Sequence, residues 1–178
     1  MSEHSETGNW VYVILYVGIA GIALFSHLLP LSTAPSSWAG PDVILCLTYV
    51  LVMRRPKTIP IGLIAGVFII LDLFLLRPPG LLTAYVVIGA EFLRSRARVN
   101  SELPFFVEWA LVASVICGVL LGYRFTLFIV AIDLSTLGLS LQHLIGTVLL
   151  YPVFTVLLGW LTLLGTTGKL AESKGRSS

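Results

Sequence analysis

The chain has 178 residues, of which 57% are hydrophobic and only 11% are charged, with a mean hydropathy of +0.97 and a formal net charge of +2. A soluble domain usually carries about 25% charged residues, so this composition excludes an ordinary soluble protein and predicts an integral membrane protein. Cys46 and Cys117 both lie inside apolar runs, and their positions indicate neither a disulfide nor a metal framework.

Six apolar runs match the pattern of membrane-spanning helices, which need about 20 apolar residues each. We therefore predict an all-α, polytopic membrane helix bundle that forms a single domain over residues 1–178. The predicted spans are residues 10–29, 41–53, 59–76, 81–93, 104–122 and 139–164. Pro152 lies inside the last span and is predicted to kink it.

The basic residues predict the orientation of these spans. With the N-terminus inside, the inner connections hold nine Lys and Arg residues, whereas the outer side holds only Arg77 and Arg124. By the positive-inside rule, both termini lie in the cytoplasm. Residues 125–138 are also apolar, and we predict that they continue the fifth span or lie on the outer surface. A seventh span there would move the basic C-terminus outside.

The second and fourth spans are short. About 13 residues of helix rise only about 20 Å, against a hydrocarbon core of about 30 Å. The outer connections of these spans are therefore predicted to lie below the outer surface. There they would frame an outward-facing depression that is either open or filled by a partner.

Polar residues on the outer side form the candidate site for a partner or a solute. Asp72 lies in an apolar run, where a carboxylate costs roughly 2.5–3.5 kcal/mol on insertion scales and usually meets protein, water or a partner charge. The other candidates, chosen because the predicted topology places them on the outer side, are Asp42, Arg77, Asp133 and His143. For Asp72 a purely structural role stays open, through pairing with Arg77 or with a nearby backbone amide. Asp42 has the alternative interpretation of a helix N-cap.

Five arginines on the inner side form a candidate dock for a cytoplasmic protein or an anionic lipid head group. They are Arg54, Arg55, Arg94, Arg96 and Arg98, and their alternative interpretation is a solvated charge cluster. Gly62 and Gly66 have the spacing that lets another helix approach closely. No pattern of catalytic, phosphate-binding or metal-ligating residues occurs, so we predict no enzyme, no cofactor, no metal site and no nucleic-acid partner.

The order and spacing of several short motifs resemble the MreD family, the small inner-membrane rod shape-determining proteins of bacteria. The matching motifs are Pro41-Asp42, the basic turn Arg54–Lys57, Gly62, Asp72-Leu73, Gly80 and Tyr151-Pro152. Gly80 joins the candidate site on this ground. The chain also departs from the family pattern. Many members carry glycine where this chain has Phe68 and Leu76, and a small polar turn where it has Arg77-Pro78-Pro79.

The resemblance implies a non-enzymatic scaffold of the elongasome, the rod complex that maintains cell shape and builds sidewall peptidoglycan. It implies a multi-pass protein of the bacterial cytoplasmic (inner) membrane that acts with MreC. RodA, a class B penicillin-binding protein, MreB and RodZ are implied as direct or indirect partners, together with membrane lipids. The chain is also similar in size and span number to the substrate-binding subunits of energy-coupling-factor transporters. A small-solute-binding transporter subunit is therefore the alternative, and a lipid-facing accessory protein without a defined site is a third possibility.

Overall fold

The computed structural model of the chain describes residues 3–28, 42–56, 58–99, 104–130 and 137–175. Every regular element in these ranges is an α-helix, which confirms the all-α prediction. The helices are α1 (Glu3–Leu28), α2 (Val43–Arg54), α3 (Ile61–Phe74), α4 (Leu81–Val99), α5 (Phe105–Ile129) and α6 (Leu137–Gly175).

Four helices extend beyond their predicted spans, and the first of them, α1, begins at Glu3 instead of residue 10. Helix α4 continues to Val99, because the arginines after Leu93 are good helix formers and cations are favourable in a last turn. Helix α5 continues to Ile129, which agrees with the predicted continuation of the fifth span and gives residues 125–129 no separate helix. Helix α6 has 39 residues because no proline interrupts it after Pro152.

Two helices are long and apolar enough to cross a membrane by length and composition. They are Phe105–Ile129 and the Ser140–Trp160 part of α6. The apolar parts of the first three helices are shorter: Trp10–Ser26, Val43–Arg54 and Ile61–Phe74. Among the described residues, length and apolarity alone therefore identify two spanning candidates rather than six.

The short helix α2 lies at the centre of the bundle. Its residues from Ile44 to Met53 are all buried, and it packs against α1, α4 and α6. Around it, α1 contacts α3, α3 contacts α4, α4 contacts α5, and α5 contacts α6. A helix that is buried on every side must be apolar on every side, which the sequence of α2 satisfies. Because neighbouring helices cover α2, it does not need the length of a helix that faces lipid across a whole membrane.

Helix α4 packs closely against its neighbours at two glycines. A Cβ atom at Gly89 would lie 2.5 Å from the Tyr49 hydroxyl, and one at Gly122 would lie 2.7 Å from the ring of Tyr85. At Gly62 and Gly66, whose spacing lets another helix approach closely, a Cβ atom would meet none of the described residues within 4 Å. No described helix of this chain therefore packs closely on these two glycines, and Gly62 is exposed.

Candidate functional site

Asp72 lies on α3 and is fully buried. Its carboxylate caps the start of the next helix, α4. Its Oδ2 atom accepts hydrogen bonds from the Gly80 amide (3.1 Å), the Thr83 amide (3.3 Å) and the Thr83 hydroxyl (3.0 Å). The first amides of a helix have no acceptor within the helix, and the positive end of the helix dipole favours a carboxylate there. The eight-residue spacing between Asp72 and Gly80 thus has a local structural reason.

The contact between Asp72 and Arg77 is made through the backbone. The Arg77 amide donates to the Asp72 carbonyl at 3.0 Å, and no ion pair joins their side chains. Of the two structural pairings predicted for Asp72, the one with backbone amides is therefore confirmed, and the one with the Arg77 side chain is wrong. The reason is geometric, because the turn directs the Gly80 and Thr83 donors onto the carboxylate.

The turn after α3 places Leu76 in a conformation that favours glycine. The Arg77 amide donates to the Asp72 carbonyl, and the Leu76 amide donates to the Leu73 carbonyl at 3.3 Å. This pair of bonds is a Schellman motif, and Leu76 has its left-handed position with φ of +53°. An L-residue pays roughly 1–2 kcal/mol there. Glycine would adopt the conformation of Leu76 without that cost.

One buried atom of Asp72 has no partner. Its Oδ1 atom accepts no hydrogen bond from any of the described residues. Tyr123 on α5 lies near enough for the charges of Asp72 and Arg77 to act on it. A buried acceptor without a donor is unfavourable, so a water molecule or a ligand donor at this atom would be stabilising.

Asp42 caps α2 and connects it to α6. Its Oδ1 atom accepts a hydrogen bond from the Leu45 amide at 2.9 Å, which confirms the N-cap interpretation. The Asp42 amide donates to the Thr147 hydroxyl at 3.0 Å, and that hydroxyl donates to the His143 carbonyl at 2.7 Å. In the part of the chain that the structure describes, no bond of Asp42 reaches the group formed by Asp72 and Gly80. The candidate residue Asp133 lies outside the described residues.

Arg94 is not available as a surface residue of the inner dock. It is buried, and its guanidinium donates to Glu91 and to the Ile59 carbonyl, both at 2.7 Å. We predicted this residue as part of an exposed cluster, and the burial corrects that prediction. The carbonyl of Ile59 lies in the turn between α2 and α3, so Arg94 fastens α4 to that turn.

The other four arginines of the predicted dock keep exposed surface. Arg96 and Arg98 are exposed on the last turns of α4, and Arg96 lies over the ring of Phe92 at 5.4 Å. The guanidinium of Arg55 lies over the ring of Tyr12 at 4.3 Å. Arg54 keeps 42% of its side chain exposed.

Glu108 forms a buried junction of three helices, which we did not predict. It is 6% exposed, it pairs with the Nε atom of Arg54 at 3.0 Å, and it accepts a hydrogen bond from the Tyr151 hydroxyl at 2.5 Å. These contacts join α2, α5 and α6. The sequence signal was an acidic residue in the first turn of a long apolar helix.

No family model matches this chain, no curated protein matches its sequence, and no solved structure matches its fold.

Proposed function

We propose that this protein is a six-span, non-enzymatic scaffold of the MreD type in the bacterial inner membrane. In this role it acts with MreC in the elongasome, the complex that maintains rod shape and builds sidewall peptidoglycan. RodA, the class B penicillin-binding protein, MreB and RodZ would be contacted directly or through MreC. Both termini are then cytoplasmic, and the four shorter apolar segments span the membrane as members of the bundle.

The observation that carries this proposal is the distribution of polar and apolar groups. The buried charged groups bind neighbouring helices: Asp72 binds α4, Glu108 binds α2 and α6, and Arg94 binds the turn before α3. Large apolar side chains cover the outside instead. They include Ile14, Ile22, Phe25, Ile70, Phe106, Phe125, Phe128, Leu149 and Val156. Exposed apolar side chains in this number suit contact with lipid or a partner helix, and polar groups used for packing suit a scaffold.

The turn between α3 and α4 is the part of the candidate site that a partner can reach. Asp72 itself is buried, whereas Leu76 is 94% exposed and Arg77 is partly exposed. Leu76 also keeps a conformation that favours glycine, and backbone strain of this kind often occurs at functional positions. In the proposed function, Leu76 and Arg77 contact the membrane segment of MreC, and Asp72 holds the turn in place.

Co-purification with MreC tests this proposal. We expect the double substitution Leu76→Ala and Arg77→Ala to reduce the recovery of MreC, because both exposed contacts are removed while Asp72 keeps the turn intact. Arg98→Ala, which changes an exposed arginine at the other end of α4, is the matched control and keeps normal recovery. Normal recovery of MreC by the double variant would contradict the proposed contact. The broader proposal is tested by whether this gene restores rod shape to cells depleted of their own MreD.

The alternative function, a small-solute-binding subunit of a transporter, draws on the unpartnered Oδ1 atom of Asp72. Such an acceptor is the kind of polar group that orients a ligand in an apolar pocket. This alternative predicts saturable binding of a small molecule that raises the unfolding temperature of the wild type. The Asp72→Asn variant, if folded, would lose that response. Rod-shape restoration without any ligand response would favour the scaffold.

A further inference from the structure

The inner end of α2 carries two consecutive arginines that are held by two different helices. Arg54 is the last residue of the helix and Arg55 is its C-cap. Glu108 of α5 binds Arg54 through Nε at 3.0 Å, and Tyr12 of α1 lies under the guanidinium of Arg55 at 4.3 Å. Both arginines are thus at the same end of α2, with Cα atoms about 3.8 Å apart.

Both guanidinium groups keep donors that no described residue accepts. The ion pair of Arg54 uses Nε alone, and its Nη atoms donate to no group in the described ranges. The Cζ atom of Arg55 lies over the Tyr12 ring in a cation–π contact, and its N–H groups donate to no group in the described ranges. A planar guanidinium with a free edge is suited to bind phosphate oxygens, and fixing it beforehand lowers the entropy lost on binding.

The remaining arginines of the inner side differ from this pair. The guanidinium of Arg94 already donates to Glu91 and to the Ile59 carbonyl, and it is buried. Arg96 and Arg98 are exposed, and among the described residues Arg96 contacts a phenyl ring of its own helix. The pair at the end of α2 is therefore the better-organised anion site of the two.

An apolar surface lies beside this pair on α1. Trp10 and Val11 precede Tyr12 and are 64% and 61% exposed, and Ile14 follows it at 67%. A ligand that places a phosphate on the arginines meets this surface directly. Lipids combine an anionic head with an apolar chain, whereas a free phosphate or an acidic peptide does not.

We propose that Arg54 and Arg55 bind the head group of an anionic phospholipid, whose acyl chain lies against the exposed face of α1. Glu108 and Tyr12 act as positioning residues for the two guanidinium groups. This inference goes beyond the scaffold role and requires only that the chain lies in a membrane. Loss of lipid binding and loss of MreC recovery are therefore separate outcomes.

Native mass spectrometry of the delipidated protein in detergent tests the proposal, with phosphatidylglycerol and phosphatidylcholine as probes. We expect retention of phosphatidylglycerol by the wild type and roughly thirtyfold weaker retention by the Arg54→Gln/Arg55→Gln variant, in line with about 1 kcal/mol for each of the two basic groups near an anionic surface. The matched control, Arg96→Gln/Arg98→Gln, removes the same charge from the same side and changes retention by less than twofold. Equal losses in both variants would mean unspecific attraction and would overturn the proposal.

A second set of variants covers the possibility that loss of Arg54 leaves Glu108 unpaired and unfolds the protein. Arg55→Gln alone removes no buried ion pair, and we expect it to lower phosphatidylglycerol retention several-fold. Tyr12→Leu keeps both charges but removes the ring, and it lowers retention by a smaller factor. Wild-type retention by Arg55→Gln would overturn the proposal. So would inorganic phosphate raising the unfolding temperature as much as phosphatidylglycerol, since the site would then bind a free anion.

Discussion

The indole N–H of Trp109 on α5 donates a hydrogen bond to the backbone carbonyl of Val148 on α6 at 3.3 Å. In a regular helix that carbonyl would accept from the amide four residues later. Residue 152 is a proline and has no amide hydrogen, so its position leaves the Val148 carbonyl without a helical donor. Trp109 supplies the missing donor from a neighbouring helix. The proline predicted to distort α6 is thus accommodated by a side chain of α5.

This relationship predicts a coupling between Trp109 and Pro152. Trp109→Phe removes the donor and keeps an aromatic ring, and we expect a loss of about 1 kcal/mol in the free energy of unfolding. In a Pro152→Ala background, the restored amide satisfies the carbonyl, so the same change costs less. Thermal unfolding in detergent of the wild type, the two single variants and the double variant measures the coupling free energy. Equal costs in both backgrounds would show that the two residues act independently.

Asp72 is predicted to control the start of α4. Asp72→Ala removes the acceptor of the Gly80 amide, the Thr83 amide and the Thr83 hydroxyl. We expect the free energy of unfolding to fall by roughly 1–3 kcal/mol. Hydrogen exchange of the amides of Gly80 and Thr83 should become faster. Asp42→Ala serves as the control, since it removes a cap from α2 and should leave α4 protected. Unchanged exchange in the Asp72 variant would exclude the capping role.

Leu76 offers a stabilising substitution. Its φ of +53° favours glycine, and its side chain is almost fully exposed. Leu76→Gly should therefore raise the free energy of unfolding by about 1 kcal/mol. The matched control is Leu73→Gly, another exposed leucine but inside α3, which should lower it by about 1 kcal/mol. If MreC recovery falls in Leu76→Gly while stability rises, the side chain has a binding role.

The two glutamate–arginine pairs are predicted to differ in strength. Glu108 is buried and Glu91 has a side chain that is 54% exposed. Glu108→Ala leaves the Tyr151 hydroxyl and part of Arg54 without their partner, and we expect a loss of about 2 kcal/mol after allowing for the exposure of Arg54. Glu91→Ala should cost less, about 1 kcal/mol, because Glu91 is exposed and the buried Arg94 keeps its bond to the Ile59 carbonyl. Chemical or thermal unfolding in detergent measures both, and similar losses would mean that burial does not set the difference.

Close packing distinguishes the glycines. Gly89→Ala places a methyl group 2.5 Å from the Tyr49 hydroxyl and 2.9 Å from Val115, and overpacking of this kind costs about 1–3 kcal/mol. Gly62→Ala meets open space and should leave the isolated protein as stable as the wild type or more so. A Gly62→Ala protein that is stable but loses MreC would identify the exposed face of α3 as a partner surface.

Local features of the sequence predicted much of the secondary structure. Low charge and six apolar runs predicted an all-α chain, and the Asp42 position predicted the cap that the structure contains. The structural alternative for Asp72, a bond to nearby backbone amides, could also be predicted from the sequence, because a carboxylate in an apolar run must find a donor. These inferences depend on a few neighbouring residues, which is why they were accessible.

The roles of Arg94, Glu108 and Gly89 were decided by tertiary structure. Arg94 stands in a charged part of the sequence and Glu108 in the first turn of an apolar helix, and both resemble interfacial surface residues, yet helix packing buries both. Gly89 has no small residue four positions away in its helix, yet it packs closely against Tyr49. Gly62 has Gly66 at that spacing, yet a Cβ atom at Gly62 would meet open space.

Apolarity and spacing along the chain thus determined that helices form and where their polar residues fall. Only the tertiary structure decided that the shortest of them, α2, would be the centre of the bundle. The contacts that place it there join residues distant in sequence, such as Asp42 with Thr147 and Tyr16 with Thr48. Such pairs depend on how the helices turn toward one another, because each apolar face can pack against several others with similar loss of exposed surface.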